Sequence, residues 1–254
     1  LDLPSPSAQL GMFGLSWGDA DEPLTPAYWA AQTWMWQIDA PHHYKLGRSL
    51  AEELLACMLG GYGIPAEVGL AAYQRLREHH LSGRELTDQR QVEELLAEPL
   101  EVGGRRVRYR FARQKALYVT GAFRELGAID EGLDDIPLRD RLMAIRGIGP
   151  KTASWVVRNL RASDGVAILD IHILRAGRHL GIFEEGRTVE RHYAELEAAY
   201  LAFASAIGTR ASILDSVMWM TMRQLGERRP ASLKDGPGRG SKTTVPGAQG
   251  QLAF

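Results

Sequence analysis

One cysteine, Cys57, stands in a chain of 254 residues. A single thiol excludes an intrachain disulfide framework, a four-cysteine zinc site and a cysteine-ligated iron–sulfur cluster. Long apolar runs are missing as well. A membrane span needs about 20 consecutive apolar residues, and the longest candidates here, 54–59 and 198–207, are short and read as core helix. The opening Leu-Asp-Leu-Pro-Ser-Pro lacks the basic-then-apolar order of a secretory signal. The expectation is an intracellular chain, in the cytoplasm or nucleoid if the source is bacterial or archaeal. Alternating strand patterns are scarce too, with 101–108 and a short N-terminal piece as the exceptions.

Net charge is also nearly absent, at −1. As an average it argues against a polyanionic partner, but the average hides a division. Residues 1–100 carry 6 basic and 14 acidic side chains, and residues 101–254 carry 24 and 17. Of the 30 basic residues 25 are arginine, whose planar fork suits phosphate.

What is present is helical periodicity. A 45% hydrophobic share with 24% charged residues excludes bulk disorder, and the length fits one large domain or two small ones. Apolar residues at helical spacing mark 46–59, 68–76, 111–126, 138–145, 152–160, 169–180, 189–206 and 211–225. Glycine-rich breaks separate them, among them Gly60-Gly61-Tyr62-Gly63 and Gly103-Gly104. The class is all-α, with no fixed-period repeat to suggest a solenoid. Residues 228–254 lose the periodicity and read as a Gly/Pro-rich tail.

The informative stretch is 138–181. Two amphipathic helices are joined by Gly147-Ile148-Gly149-Pro150. Both glycines permit positive φ and close backbone approach, and Pro150 suits a first helical turn. Such a hairpin points unpaired amides outward at a helix N-terminus, a seat for phosphate. Alone, it reads equally well as a tight helix–helix turn. Lys151 follows directly, and Asp170 comes nineteen residues later within Leu169-Asp170-Ile171-His172. Arg113-Gln114-Lys115-Ala116 precedes the hairpin. This combination resembles the helix–hairpin–helix DNA glycosylase superfamily, in particular its 8-oxoguanine DNA glycosylase/AP lyase branch. The resemblance is strong over about 50–181 and weaker over 211–226.

It implies two helical subdomains facing each other across a DNA-binding cleft. One would be built from 1–49 with 166–227. The other would be 50–165, with the helix–hairpin–helix at about 138–162. It further implies that Lys151 is the nucleophile and Asp170 its partner. The chemistry agrees, since a lysine amine can displace a base, form a Schiff base and permit β-elimination, while a carboxylate can serve as base and balance positive charge. Lys151 must then be partly neutral, through desolvation or a neighbouring cation such as Arg146. Plainer roles stay open: Lys151 as a phosphate contact, Asp170 as a helix cap.

The same resemblance assigns Gly147, Ile148, Gly149 and His172 to DNA contact, along with Arg113 and Lys115. Tyr62 stands in the loop where relatives carry a wedge residue. Trp155, Met218 and Trp219 fall at base-pocket positions, and Trp29, Trp34 and Trp36 read as core. Seven cations without an acid over 103–124 suggest a DNA-backbone footprint. The backbone carbonyls of Met143, Ile145 and Ile148 are implied to hold a monovalent cation; no other cofactor and no iron–sulfur cluster are expected. The partner would be duplex DNA with a damaged base, bound by a monomer without any membrane. The most specific function is excision of an oxidised guanine, 8-oxoguanine. The alternatives are a glycosylase for another modified base and a non-enzymatic helix–hairpin–helix DNA-binding protein.

Overall fold

Side-chain caps fix where the helices opening at Pro26, Leu50, Gln89 and Ile171 begin. The computed structural model describes residues 1–39, 45–61 and 63–227; Tyr62 and the 228–254 tail lie outside the described residues. A minimal hairpin, β1 (Gln9–Leu10) with β2 (Leu15–Ser16), leads into α1 (Pro26–Asp39). Then come α2 (Leu50–Leu59), α3 (Ala66–Leu81) and α4 (Gln89–Ala97). A second hairpin joins β3 (Leu100–Val102) to β4 (Arg105–Val107). After it run α5 (Ala112–Glu125), α6 (Asp135–Met143), α7 (Pro150–Arg161), α8 (Ile171–Leu180), α9 (Val189–Ala206) and α10 (Ala211–Glu227). Among the described residues the fold is all-α apart from the two short ribbons. None of the described helices is long and apolar enough to cross a membrane.

Two helices escape a periodicity search. In α1 the Thr25 hydroxyl accepts the Tyr28 amide at 3.1 Å and Pro26 opens the helix, but apolar side chains almost encircle it. In α4 the Asp88 carboxylate accepts the amides of Arg90 and Gln91 at 2.9 and 3.3 Å, while only Val92 and Leu96 are buried. The helix expected from 46 starts at Leu50 instead. Ser49 caps it, and the Glu53 carboxylate holds the preceding loop through the amides of Leu46 and Gly47 at 3.0 and 2.8 Å. The β3–β4 ribbon lies where alternation suggested one. It turns on Gly103 and Gly104, both at positive φ, as a two-residue hairpin loop requires.

Buried apolar side chains form two clusters. One draws on α2 through α7, from Leu50 to Val166. The other joins Leu10, Trp17 and Trp29 to α8, α9 and α10. Trp29 is fully buried and Trp36 packs on this second cluster, but Trp34 is 43% exposed, correcting its reading as core. Positions 29, 33 and 36 share the inner face of α1, and 34 falls outside it.

Helix α7 lies between the two clusters, with every residue from Ala153 to Asn159 buried. A helix buried all round must satisfy its polar side chains internally. Asn159 donates to Glu53 of α2 at 2.6 Å, and Arg158 pairs with Asp215 of α10 at 3.0 Å.

Candidate active site

The α6–α7 hairpin builds one wall. Gly147 sits at φ 91° against the Tyr118 ring of α5, where an added Cβ would lie 2.3 Å from Cγ. Only glycine fits that turn. Gly149 differs from the expectation: its φ is −93°, so it needs no left-handed freedom. A Cβ there would meet nothing within 4 Å, leaving the first turn of α7 open to a ligand. Gly147 and Gly149 are exposed, whereas the Ile148 side chain is buried and its amide donates to Ile145 O at 3.1 Å. Ile148 can therefore meet DNA only through its backbone.

Behind the hairpin, a cavity of about 1090 Å³ opens between the two clusters. Lys151, Trp155 and Arg158 line it from α7, Asp170 and His172 from the start of α8, and Asp215 and Trp219 from α10. Lys151 Nζ lies 6.0 Å from the centre of the Trp155 ring. Burial holds the Lys151 amine below the ordinary lysine range, and the Asp170 carboxylate opposes that shift. Arg146, expected to contribute, is exposed and is not the cause. The neighbouring cation is Lys115, whose own pKa is lowered by burial and by the charge on Lys151.

Asp170 is the N-cap of α8. Its Oδ1 accepts the amides of His172 and Ile173 at 2.8 and 3.0 Å. The capping role thus coexists with a place on the cavity wall. His172 is half-buried, with its ring edge-on to Trp219 at 5.9 Å, and burial lowers its pKa. It is not a solvent-facing histidine.

Trp155, also a member of the first cluster, and Trp219 border the cavity, but Met218 does not; it is fully buried in the second cluster. One residue is 100° around a helix, so α10 turns Asp215, Trp219 and Arg223 to the cavity and Met218 away. Arg113 is exposed. Lys115, grouped with it for phosphate contact, instead turns inward and donates to Met58 O near the end of α2. The two are separated by helical phase on α5. The loop Gly60–Gly61 and Gly63 also borders the cavity, while Tyr62 lies outside the described residues.

Asp215 and Arg158 are functional candidates that the sequence reading passed over. Asp215 is fully buried and its carboxyl is pushed up to about 6 by burial, despite Arg158 beside it. Its Oδ2 and the Trp155 indole Nε1 are buried without a hydrogen-bond partner among the described residues. For Asp215 a lone acid in the apolar stretch 211–220 was the available signal, whereas Arg158, beside Asn159 and Arg161, carried none.

A hairpin-borne lysine, a facing aspartate and a cleft between two helical bodies define the helix–hairpin–helix DNA glycosylase fold. Comparison with solved structures agrees. The Methanocaldococcus jannaschii 8-oxoguanine glycosylase/lyase, solved in complex with a 15mer DNA containing 8-oxoguanine, superposes with a TM-score of 0.56 at 25% identity. That match covers 78% of this chain and 89% of the other. The 8-oxoguanine DNA glycosylase of Thermotoga maritima, at 23% identity and a TM-score of 0.53, shares the fold over 77% of this chain and 88% of its own. The sequence pattern of the family described as 8-oxoguanine DNA glycosylase matches residues 42–209, and the chain belongs to that family. Among curated relatives, the 8-oxoguanine DNA glycosylase/AP lyase of Metallosphaera sedula is 34% identical over 117 residues, 44% of this chain. The match spans little more than half of that relative, 57% of its length.

Proposed function

We propose that the protein is a bifunctional DNA glycosylase/AP lyase that removes 8-oxoguanine from duplex DNA through a Lys151 Schiff base. The observation that carries this reading is the half-buried, pKa-lowered Lys151 facing Asp170 across one cavity, directly behind an open helix N-terminus. The hairpin amides take a phosphate and the extruded base enters the cavity. The Nζ lone pair attacks C1′ as the C1′–N9 bond breaks, and the departing base anion takes a proton from solvent. Nζ then passes one proton to O4′ as the C1′–O4′ bond opens, which leaves a protonated imine. Loss of the C2′ proton breaks the C3′–O3′ bond and expels the 3′ phosphate. Asp170 balances the positive charge that develops on the sugar.

The base would lie against the Trp155 and Trp219 rings. Asp215 and the Trp155 indole offer it an acceptor and a donor, which suits a guanine edge that carries N–H groups beside a carbonyl oxygen. The same reading keeps a monovalent cation at the carbonyls of Met143, Ile145 and Ile148. Ile145 O accepts one amide there and retains a second lone pair. The ion would add positive charge beside the phosphate.

The test is borohydride trapping on duplexes carrying 8-oxoguanine, other guanine lesions or an abasic site. A covalent adduct with the 8-oxoguanine duplex, absent in Lys151→Gln, is expected. An adduct only with another lesion would move the substrate, and DNA binding with no adduct, base release or strand cleavage on any duplex would reduce the protein to a non-enzymatic binder.

A further inference from the structure

Lys151 stands on α7, whose apolar side chains pack in the first cluster, and Asp170 lies between Leu169 and Ile173 of the second, so their separation depends on what ties α7 to the segment entering α8. One carboxylate makes that tie. Glu197, on α9 and 7% exposed, accepts the Ala167 amide on Oε1 at 2.9 Å, three residues before Asp170. The same oxygen lies 3.5 Å from the Ser154 hydroxyl, one turn after Lys151 on α7. Its Oε2 accepts Arg139 Nη1 of α6 at 2.5 Å, the first helix of the hairpin. Tyr193, one turn earlier on α9, grips the same segment. Its hydroxyl donates to Ala167 O at 2.5 Å and accepts the Leu169 amide at 3.3 Å. Residues four apart share a helix face, so Glu197 and Tyr193 act on 167–169 together.

Resting on the lyase reading above, we infer that Glu197, with Tyr193, is the positioning residue that fixes the distance from Asp170 to the Lys151 amine. Neither side chain lines the cavity; both act through the backbone they hold. A carboxylate bound to both hairpin helices and to the segment before Asp170 links the two members of the pair, and the Tyr193 hydroxyl holds that segment beside it. Rate is steep in such a separation, since about 1 Å of misplacement can cost about 10²-fold.

The experiment is a double-mutant cycle on an abasic-site duplex, whose aldehyde condenses with Lys151 to an imine and water without base departure. Adduct formation under borohydride is timed for wild type, Glu197→Gln, Asp170→Asn and the double variant. Tyr193→Phe, which removes one hydroxyl, repeats the cycle in case Glu197→Gln fails to fold. Affinity for a duplex with a reduced abasic analogue is measured alongside. Expected is a loss of about 10²-fold in Glu197→Gln, smaller in Tyr193→Phe, with unchanged affinity. That loss should shrink to near nothing in the Asp170→Asn background, because there is no carboxylate left to misplace. An equal loss in both backgrounds, or one explained by weaker DNA binding, overturns the positioning role and leaves the lyase intact. No adduct from wild type overturns the lyase and this role with it.

Discussion

The Asp170 carboxylate caps α8 and, across the cavity, opposes the burial that lowers the Lys151 pKa. One side chain therefore fixes a helix start and favours the ammonium form of an amine nineteen residues earlier. The nucleophile is the free amine, so this relationship governs the pH dependence of the proposed chemistry.

On the acid side, adduct formation should rise about tenfold per pH unit until the Lys151 pKa is reached, below the ordinary lysine range. Asp170→Asn removes the charge that favours the ammonium, so the break in the profile should move to lower pH. Lys115→Met removes a neighbouring cation, so it should move the break to higher pH. Trapping rates on an abasic duplex across pH 5–9 (a range of about four units) check both. Shifts of the opposite sign would break the electrostatic account.

The two hairpin glycines should fail differently. Gly147→Ala forces a left-handed backbone, which costs about 1–2 kcal/mol, and drives Cβ into Tyr118. Its Tm should drop by at least about 4 °C. Gly149→Ala has room and an ordinary φ. It should cost under about 1 kcal/mol of stability while weakening DNA binding, because the methyl stands where phosphate approaches. Thermal melts paired with a DNA titration distinguish them.

Breaking the buried Arg158–Asp215 pair at one end should be costly. Arg158→Met leaves an unpaired carboxylate and should lose about 3–5 kcal/mol. The pH dependence has a definite sign. Asp215 titrates at about 6 in the folded protein, above its ordinary 3.8, so folding favours its protonated form. Its contribution is fully present below the ordinary value and fades as pH rises through about 6. The Tm difference between wild type and Asp215→Asn should therefore become less favourable to wild type from pH 4 to 7 (a span of about three units). A flat difference would count against the raised pKa.

Arg113 and Lys115 should part company in salt. Exposed Arg113, if it meets phosphate, contributes to counterion release. Arg113→Ala should lower the slope of log affinity against log salt by about 1. Lys115→Ala should leave that slope unchanged, because its ammonium is held on Met58 O. DNA titrations at several salt concentrations give both slopes.

Local chemistry explains which features were legible beforehand. Gly147, Pro150, Lys151 and Asp170 are close in sequence, and each is favoured for its own backbone position or reaction, so a linear reading finds them. Met218 and Lys115 were misplaced for a common reason. Residue type names a candidate, but helical phase decides which way it faces, and neighbours three or four positions apart set that phase only once the helix is docked. Trp34 shows the same effect on α1.

By itself the sequence determined the all-α class, the helix–hairpin–helix turn, the lysine–aspartate spacing and the division of charge hidden under a net −1. These are properties of short segments or of composition. The tertiary structure decided the rest: that burial rather than Arg146 lowers Lys151, that Asp215 and Arg158 meet inside the cleft, and that Glu197 holds hairpin and aspartate at once. Such facts depend on desolvation and on contacts spanning 30–58 residues of chain. Neither exists until the two clusters close on α7.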